Sequence, residues 1–203
     1  MARGKSFEPE EKLRLAMAAF WDHGYEACSM QVLLDAMGIS RQSLYDTFGD
    51  KRSLFLQSLT LYEREQGAEL ASALALEGSA RRHLESLFLG IAAEAPHDRH
   101  RGCLMVKAAV EGLGAESDIN DILCRNTRSC QRAFRALLQR GKADGEWPPW
   151  LVPDEAAEFL FSVFQGIRVS AQSGASPKSL RQTAKLALRA LDSGGDPNEH
   201  VFD

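Results

Sequence analysis

The chain has 203 residues, 44% of them hydrophobic and 26% charged, and its formal net charge at pH 7 is −4. This composition is typical of a globular protein with a core, and no apolar run reaches the roughly 18 residues of a membrane-spanning helix. The negative net charge argues against binding of polyanions by the overall charge of the protein. It is compatible with a local basic face, because DNA contact depends on where the charges lie. The N-terminus carries no apolar signal core, so we expect a cytoplasmic protein.

The four cysteines are Cys28, Cys103, Cys124 and Cys130, and none forms a CxxC pair. A disulfide framework is not expected from so few cysteines in a chain of this length. Cys124 and Cys130 lie about 120° apart around a helix, which disfavours a shared metal ion. We therefore predict no metal site and no cofactor.

Helical signals begin at Pro9, which fits the first position of a helix and is followed by acidic residues. Apolar residues then recur at helical spacing as far as Phe20, and Gly24 supplies a stop. A basic arm, Arg3–Lys5, precedes this helix.

Two short helices follow: Met30–Met37, which Ser29 can cap, and Arg41–Phe48, which Ser40 can cap. Gly38 lies in the turn between them. Three helices in so short a span, the last two joined by a tight turn, predict a helix-turn-helix.

The second short helix is expected to have an apolar and a polar face. Leu44 and Phe48 are four residues apart and should pack against Leu33 and Phe20. The outward side chains that can hydrogen-bond to bases or phosphates are Arg41, Gln42, Ser43, Tyr45 and Thr47. In a helix-turn-helix, this helix enters the major groove of DNA.

Lys51 and Arg52 occupy the first turn of the next helix, which Asp50 can cap. Cations there oppose the helix dipole by up to about 1 kcal/mol each. A bound phosphate would make the arrangement favourable, because the N–H groups of the helix start and the two cations would share one anion. The pair is therefore predicted to hold DNA, and the alternative is that both are solvated surface charges.

The rest of the chain predicts further helices and no strands. The predicted ranges are 51–74, 81–94, 103–113, 118–140, 154–171 and 177–191. A polar loop is expected at His97–Gly102 and a break at 141–150. The fold class predicted is all-α, with about nine helices.

Residues 18–55 resemble the DNA-binding module of the tetracycline-repressor (TetR) family. The resemblance is carried by Gly24-Tyr25, Ser29, Gly38-Ile39-Ser40, Leu44-Tyr45, Phe48 and the ending Lys51 to Leu54-Phe55. It implies that Gln42, Ser43 and Tyr45 lie on the recognition helix and that Lys51 contacts a phosphate. It also implies a dimeric, all-helical repressor whose C-terminal domain binds a small molecule.

The pattern and the resemblance together predict three parts: a helix-turn-helix domain at 1–52, an effector-binding and dimerisation domain at 53–193, and a flexible tail at 194–203. The predicted DNA contacts are Ser29, Ser40, Arg41, Gln42, Ser43, Tyr45, Thr47, Lys51 and Arg52.

Residues 101–111 resemble a stretch in a branch of this family that includes regulators responding to reactive electrophiles and oxidants. In some of those regulators the cysteine of the Gly-Cys pair is the sensor, which here implies Cys103. A thiol near a helix N-terminus, with Arg99, Arg101 and Lys107 close in sequence, is expected to gain thiolate character. The alternative is a small packing residue.

A ligand cavity is expected to be lined by Phe88, Met105, Phe134, Trp147 and Phe161, although each can instead be ordinary core. The last two predicted helices have apolar faces wider than one core needs, which predicts a four-helix-bundle homodimer. The loop from Trp147 to Trp150 is interpreted as either a lid or a dimer contact.

The function predicted is a transcriptional repressor that releases a palindromic operator in response to a small molecule or to thiol modification. The alternatives are an activator and a helical interaction protein that does not bind DNA. An enzyme is not expected, because the sequence has no HExxH motif, glycine-rich phosphate loop or nucleophile–base spacing.

Overall fold

The computed structural model describes residues 7–192, and the regular structure in that range is entirely helical. The predicted all-α fold is confirmed. The α-helices of the described residues are α1 (Pro9–His23), α2 (Met30–Met37), α3 (Arg41–Phe48), α4 (Lys51–Ala75), α5 (Ala80–Gly90), α6 (Pro96–Arg101), α7 (Leu104–Val110), α8 (Ser117–Ala143), α9 (Pro153–Gln172) and α10 (Pro177–Ala190). Two short 3₁₀ helices, Ile91–Ala93 and Leu113–Ala115, complete the set.

The predicted tail, 194–203, and the basic arm, Arg3–Lys5, lie outside the described residues. Between residues 7 and 192, no helix is both long enough and apolar enough to cross a membrane.

The helix-turn-helix forms through local capping hydrogen bonds. Ser29 Oγ accepts the N–H of Val32 at 3.2 Å, and Ser40 Oγ accepts the N–H of Ser43 at 3.1 Å. Gly38, between the two helices, donates its own N–H to the last turn of α2. These contacts span three or four residues, so the sequence pattern was sufficient to predict the bounds of α2 and α3.

The prediction of a polar loop at His97–Gly102 is wrong over most of that range, because α6 occupies Pro96–Arg101. This helix has no apolar face, so hydrophobic periodicity could not reveal it. The helix predicted at 103–113 is shorter than expected and ends at Val110. Gly112 turns the chain with φ 78°, a left-handed conformation that a helix cannot continue through, and the 3₁₀ helix follows.

The chain divides into two compact units. The first contains the chain up to Ala68 together with Cys103–Asn126, and the second contains Glu69–Gly102 and the chain from Thr127. The chain passes from one unit to the other within α4, within α8 and at the Gly102–Cys103 bond. The predicted domain boundaries after residues 52 and 193 stay a prediction.

The core of the first unit confirms the predicted inner face of α3. Leu44 and Phe48 are buried in one cluster with Leu33 and Phe20. The ring of Phe20 packs edge-on against Phe55 of α4, with 4.9 Å between the ring centroids. This cluster holds α3 against α1, α2 and α4, so the polar face of α3 points away from the core.

The core of the second unit centres on three aromatic rings from α5, α8 and α9. Phe88, Phe134 and Phe164 are mutually edge-to-face, with centroid distances of 5.6 to 6.2 Å. Aromatic pairs of this geometry contribute about 0.5–1.5 kcal/mol beyond the burial of their area. The triad therefore fixes the packing of these three helices.

Glu146, in the predicted break at 141–150, anchors the start of α5. Its carboxylate accepts the hydroxyl of Ser79 at 2.6 Å and the N–H groups of Ala80 and Arg81 at 2.9 Å each. Burial disfavours the charged form, but these three hydrogen bonds outweigh it and lower the pKa of Glu146. An acidic side chain at the N-terminus of a helix is also favoured by the helix dipole.

Candidate nucleic-acid interface

The outer face of α3 carries the side chains that were predicted to touch DNA. Arg41 and Gln42 are exposed, Tyr45 is 44% exposed, and Ser43 and Thr47 are half-buried. They share one helix face because the buried positions, occupied by apolar residues, lie on the other. The face offers hydrogen-bond donors and acceptors of the kinds that read base edges and bind phosphates.

Two of these side chains are held in place by neighbours one turn away. The amide of Gln42 donates to Asp46 Oδ1 at 2.8 Å, and the hydroxyls of Ser40 and Ser43 lie 2.9 Å apart. Such local contacts restrict the rotamers of Gln42 and Ser43 before any partner binds. Less side-chain entropy is then lost on binding.

Ser29 and Ser40 sit at the starts of α2 and α3, each as a helix cap. A capping hydroxyl that accepts an N–H keeps its own proton, which can be donated to a phosphate oxygen. Both side chains are exposed. Their DNA contacts stay predictions.

Lys51 lies at the start of α4 with its ammonium over an aromatic ring. Its Nζ is 4.5 Å from the centroid of the Tyr25 ring. Asp50 caps the same helix, since its Oδ1 accepts the N–H of Ser53 at 2.7 Å, and this hydrogen bond lowers the pKa of Asp50. The cation is therefore positioned by the ring, at a helix start that already carries one carboxylate.

Arg52 has acidic partners that the sequence did not reveal. Its guanidinium donates to Glu116 Oε2 at 2.8 and 2.9 Å and to Asp118 Oδ1 at 2.7 Å. Hydrogen bonds to these carboxylates raise the pKa of Arg52, and the one from Arg52 lowers the pKa of Asp118. Arg52 thus joins the start of α4 to the start of α8, and its phosphate contact stays a prediction.

The end of α1 is held by two side chains of the segment that follows Cys103. Lys107 Nζ donates to the backbone carbonyls of Trp21 and Asp22, and Glu111 Oε2 accepts the N–H of Tyr25 at 2.8 Å. The sequence interpretation missed Glu111 and Tyr25 as functional residues. The only sequence signal was the four-residue spacing of Cys103, Lys107 and Glu111, which favours one face of the helix predicted at 103–113. In the structure Lys107 lies within α7, and Cys103 and Glu111 are its N-cap and C-cap.

Cys103, the predicted sensor, is half-buried at the N-cap position of α7. Its sulfur accepts a hydrogen bond from the hydroxyl of Tyr62, with 3.5 Å between the two atoms. The ring of Tyr62 is in turn edge-on to Trp21, with 4.9 Å between centroids. Of the other cysteines, Cys124 is exposed, whereas Cys28 and Cys130 are buried. Burial raises the pKa of Cys28 to about 11.

The five residues predicted to line a ligand cavity fall into two different cores. Phe88, Phe134, Trp147 and Phe161 are buried in the core of the second unit, and Met105 is buried in the core of the first. Met105 therefore belongs to a different core from the other four. A lining role for any of them stays a prediction.

Comparison with protein families gives two matches. Residues 13–57 match the model of bacterial regulatory proteins of the tetR family. Residues 80–187 match the model of a tetracyclin repressor-like C-terminal domain. The first range holds the helix-turn-helix, and the second runs from α5 into α10.

Relatives and a solved structure agree with these matches. The HTH-type transcriptional repressor ComR of Escherichia coli (strain K12) is 33% identical over 189 residues, which cover 92% of this chain and 90% of ComR. The uncharacterized HTH-type transcriptional regulator YezE of Bacillus subtilis (strain 168) is 33% identical over 147 residues, 72% and 76% of the two chains. A cysteine mutant of the TetR family transcriptional regulator CifR, complexed with 26-base-pair operator DNA, aligns with a TM-score of 0.80 and 33% identity, covering 93% of this chain and 99% of CifR.

Proposed function

Since this chain belongs to the tetR family of bacterial regulatory proteins, we propose that it represses transcription as a homodimer bound to a palindromic operator. The observation that carries the proposal is the exposed polar face of α3, on a capped helix-turn-helix with Lys51 beside it. The repressor ComR and the operator complex of CifR support repression and DNA binding, respectively.

In the proposed complex, α3 lies in the major groove and its flanks bind phosphates. Arg41, Gln42 and Ser43 face base edges, since they occupy the first turn of the recognition helix. The phosphate contacts come from Tyr45, Thr47, Lys51, Arg52 and the capping hydroxyls of Ser29 and Ser40.

The proposed dimer forms through the outer faces of α9 and α10. On α9, Phe159 and Val169 are 42% and 41% exposed, and on α10 Leu186 is 64% exposed. Ser162 lies between the two apolar residues of α9 and Ser170 directly follows Val169, and both hydroxyls donate to backbone carbonyls four residues earlier. This face therefore offers apolar and small residues with satisfied polar groups, which suits a close contact between helices.

The loop between α8 and α9 adds to the same surface. Trp147 is buried, whereas Trp150 is exposed and lines a surface pocket of about 390 Å³ with Val152, Phe159 and Leu191. An exposed tryptophan that adjoins the α9 face favours a dimer contact over a lid for this part of the loop.

Release from DNA is proposed to follow binding of a small molecule or modification of Cys103. The half-buried sulfur accepts a hydrogen bond from the hydroxyl of Tyr62 in α4, so a substituent on the sulfur displaces this hydroxyl. With an α,β-unsaturated carbonyl compound, the sulfur forms a bond to the β-carbon and the thiol proton moves to the α-carbon. The addition needs no other reactant, and a covalent adduct is retained after the electrophile is removed.

The experiment that tests the function is selection of bound fragments from the source genome, followed by transcription from a selected promoter with and without the protein. We expect a palindrome with half-sites about one helical turn apart and less transcript when the protein is present. Increased transcription would identify an activator. Failure to bind any DNA in a salt-sensitive way would favour an interaction protein.

A further inference from the structure

We propose that Glu111, acting through Tyr25, is a positioning residue for Lys51, so that α7 controls how strongly the protein holds DNA phosphates. The inference rests on the proposed function, in which Lys51 contacts DNA. It assigns a regulatory role to a contact between residues 86 positions apart in the sequence.

The first link is the hydrogen bond between Glu111 and the backbone of Tyr25. The carboxylate of Glu111 fits so closely against the turn after α1 that a Cβ on Gly24 would lie 2.0 Å from Glu111 Oε1. Gly24 also has φ 81°, which other residues rarely adopt. The turn is therefore shaped to receive this carboxylate, and movement of Glu111 has to move the backbone of Tyr25.

The second link is Lys107, which grips the other side of the same turn. Its ammonium binds the carbonyls of Trp21 and Asp22, at the end of α1 where the helix dipole favours a cation. Lys107 thus binds backbone carbonyls on one side of the turn, and Glu111, four residues later, binds a backbone N–H on the other. Displacement of α7 is transmitted to the turn whether α7 moves towards it or away.

The third link is the ring of Tyr25, which carries the ammonium of Lys51. The ring is confined by Phe55, 4.7 Å away, and by Phe20, 6.2 Å away, so it moves with its backbone and not independently. Lys51 Nζ lies over this ring and is held by it. A shift of Tyr25 therefore changes where the cation sits at the start of α4.

The neighbouring cation has a connection to the same stretch of chain. Arg52 is bound by Glu116 and Asp118, which follow α7 by a few residues. Side chains between residues 103 and 118 thus bind Arg52 directly and are connected to Lys51 through Tyr25. Cys103 is the N-cap of α7 and Glu111 is its C-cap, so a substituent on the Cys103 sulfur acts at the start of the helix whose end carries Glu111.

The test is a double-mutant cycle of Glu111→Ala and Lys51→Ala, read by binding to a fluorescent duplex of random sequence and about 30 base pairs. Such a duplex suffices because phosphate contacts do not depend on base sequence. We expect Glu111→Ala to weaken binding about fivefold and to lower the salt slope by about 1 in the wild-type background. In the Lys51→Ala background it should change neither quantity.

Two control variants separate the hydrogen bond from charge and from folding. Glu111→Gln keeps an acceptor for the N–H of Tyr25 and should retain wild-type affinity, although it loses the same charge. Glu65→Ala removes a carboxylate that binds Arg14 of α1, and its effect should be independent of Lys51. Circular dichroism at the assay temperature establishes that each variant is folded.

Additive losses from Glu111→Ala and Lys51→Ala would overturn the positioning role and leave the DNA-binding function intact. A fivefold loss in Glu111→Gln would equally overturn it, because charge and not hydrogen bonding would then be responsible. If Lys51→Ala leaves binding unchanged, the proposed docking of Lys51 is wrong, and the positioning role is overturned with it.

Discussion

Residues on α3 and at the start of α4 differ in what they can touch in DNA. Gln42 is exposed on the recognition helix with its amide pre-oriented by Asp46, whereas Lys51 is a point charge beside the Tyr25 ring. The first suits a base edge, and the second suits a phosphate, which is the same for every sequence. Substitutions at the two positions should therefore have different signatures.

We predict that Lys51→Ala weakens binding to all DNA sequences by a similar factor and reduces the salt slope by about 1. Gln42→Ala should instead change which bases are preferred, at a cost of about 1–3 kcal/mol for the best operator. Titration of selected and scrambled duplexes at several salt concentrations measures both effects. Unchanged affinity in both variants would show that α3 does not dock in this way.

The cysteines differ in access to solvent, so they should differ in their reaction with a thiol reagent. In a Cys124→Ser background, N-ethylmaleimide should release operator DNA from the protein, and the further change Cys103→Ser should abolish the release. Cys28 should not react, because it is buried and its pKa is raised to about 11. Fluorescence anisotropy of labelled operator follows the release, and mass spectrometry identifies the modified residue. Equal release in both backgrounds would make Cys103 an ordinary packing residue.

Among the helices, α5 depends on a contact from outside itself. Glu146 binds Ser79 and two N–H groups of the first turn of α5, and its pKa is lowered by these bonds. A carboxylate whose folded pKa is lowered stabilises the fold above its unfolded pKa, about 4.3, and loses this contribution as pH falls through the folded pKa. The contribution is therefore fully present at pH 7.

We predict that Glu146→Ala lowers the free energy of unfolding by about 1–2 kcal/mol at pH 7, because three donors in partly buried hydrogen bonds lose their acceptor. The difference between wild type and variant should shrink as the pH falls below about 4.3, the pKa of the unfolded chain, and should vanish below the lowered pKa of folded Glu146. Urea unfolding at neutral and acidic pH measures it. An equal difference at both pH values would mean that the charge of Glu146 does not stabilise α5.

At the scale of the whole molecule, the proposed dimer and the core use different faces of α9. Phe159 is exposed, whereas Phe164, five residues on, belongs to the buried aromatic triad of the second unit. A charge introduced on the outer face meets solvent in a monomer, but a charge in the triad has no partner and must be desolvated. The two positions form a matched pair.

We predict that Phe159→Glu yields folded monomers that bind an isolated half-site weakly, and that Leu186→Glu on α10 does the same. Phe164→Glu should instead unfold the second unit. Light scattering at micromolar concentration gives the oligomeric state, and circular dichroism gives the folding. A monomeric wild type at that concentration would contradict both the proposed homodimer and the proposed palindromic operator.

The sequence by itself determined the helix-turn-helix and most helix bounds. Ser29, Ser40 and Asp50 cap helices through contacts with residues three positions away, and the inward spacing of Leu44 and Phe48 is equally local. Short-range hydrogen bonds and helical periodicity both depend only on residues that are close together in the sequence. They therefore predicted the all-α fold, the helix-turn-helix and the face of α3 that is available to DNA, whereas the class of regulator was implied by the resemblance of residues 18–55.

Only the tertiary structure decided which distant residues meet. Arg52 was predicted from its position alone, but its partners Glu116 and Asp118 lie more than 60 residues later, and Glu111 lies 86 residues after Tyr25. The assignment of Met105 and the four aromatic candidates to different cores also depends on which core each helix joins. Such pairings follow from how helices pack, and one helix can pack in many ways with the same local pattern, so no spacing in the sequence reveals them.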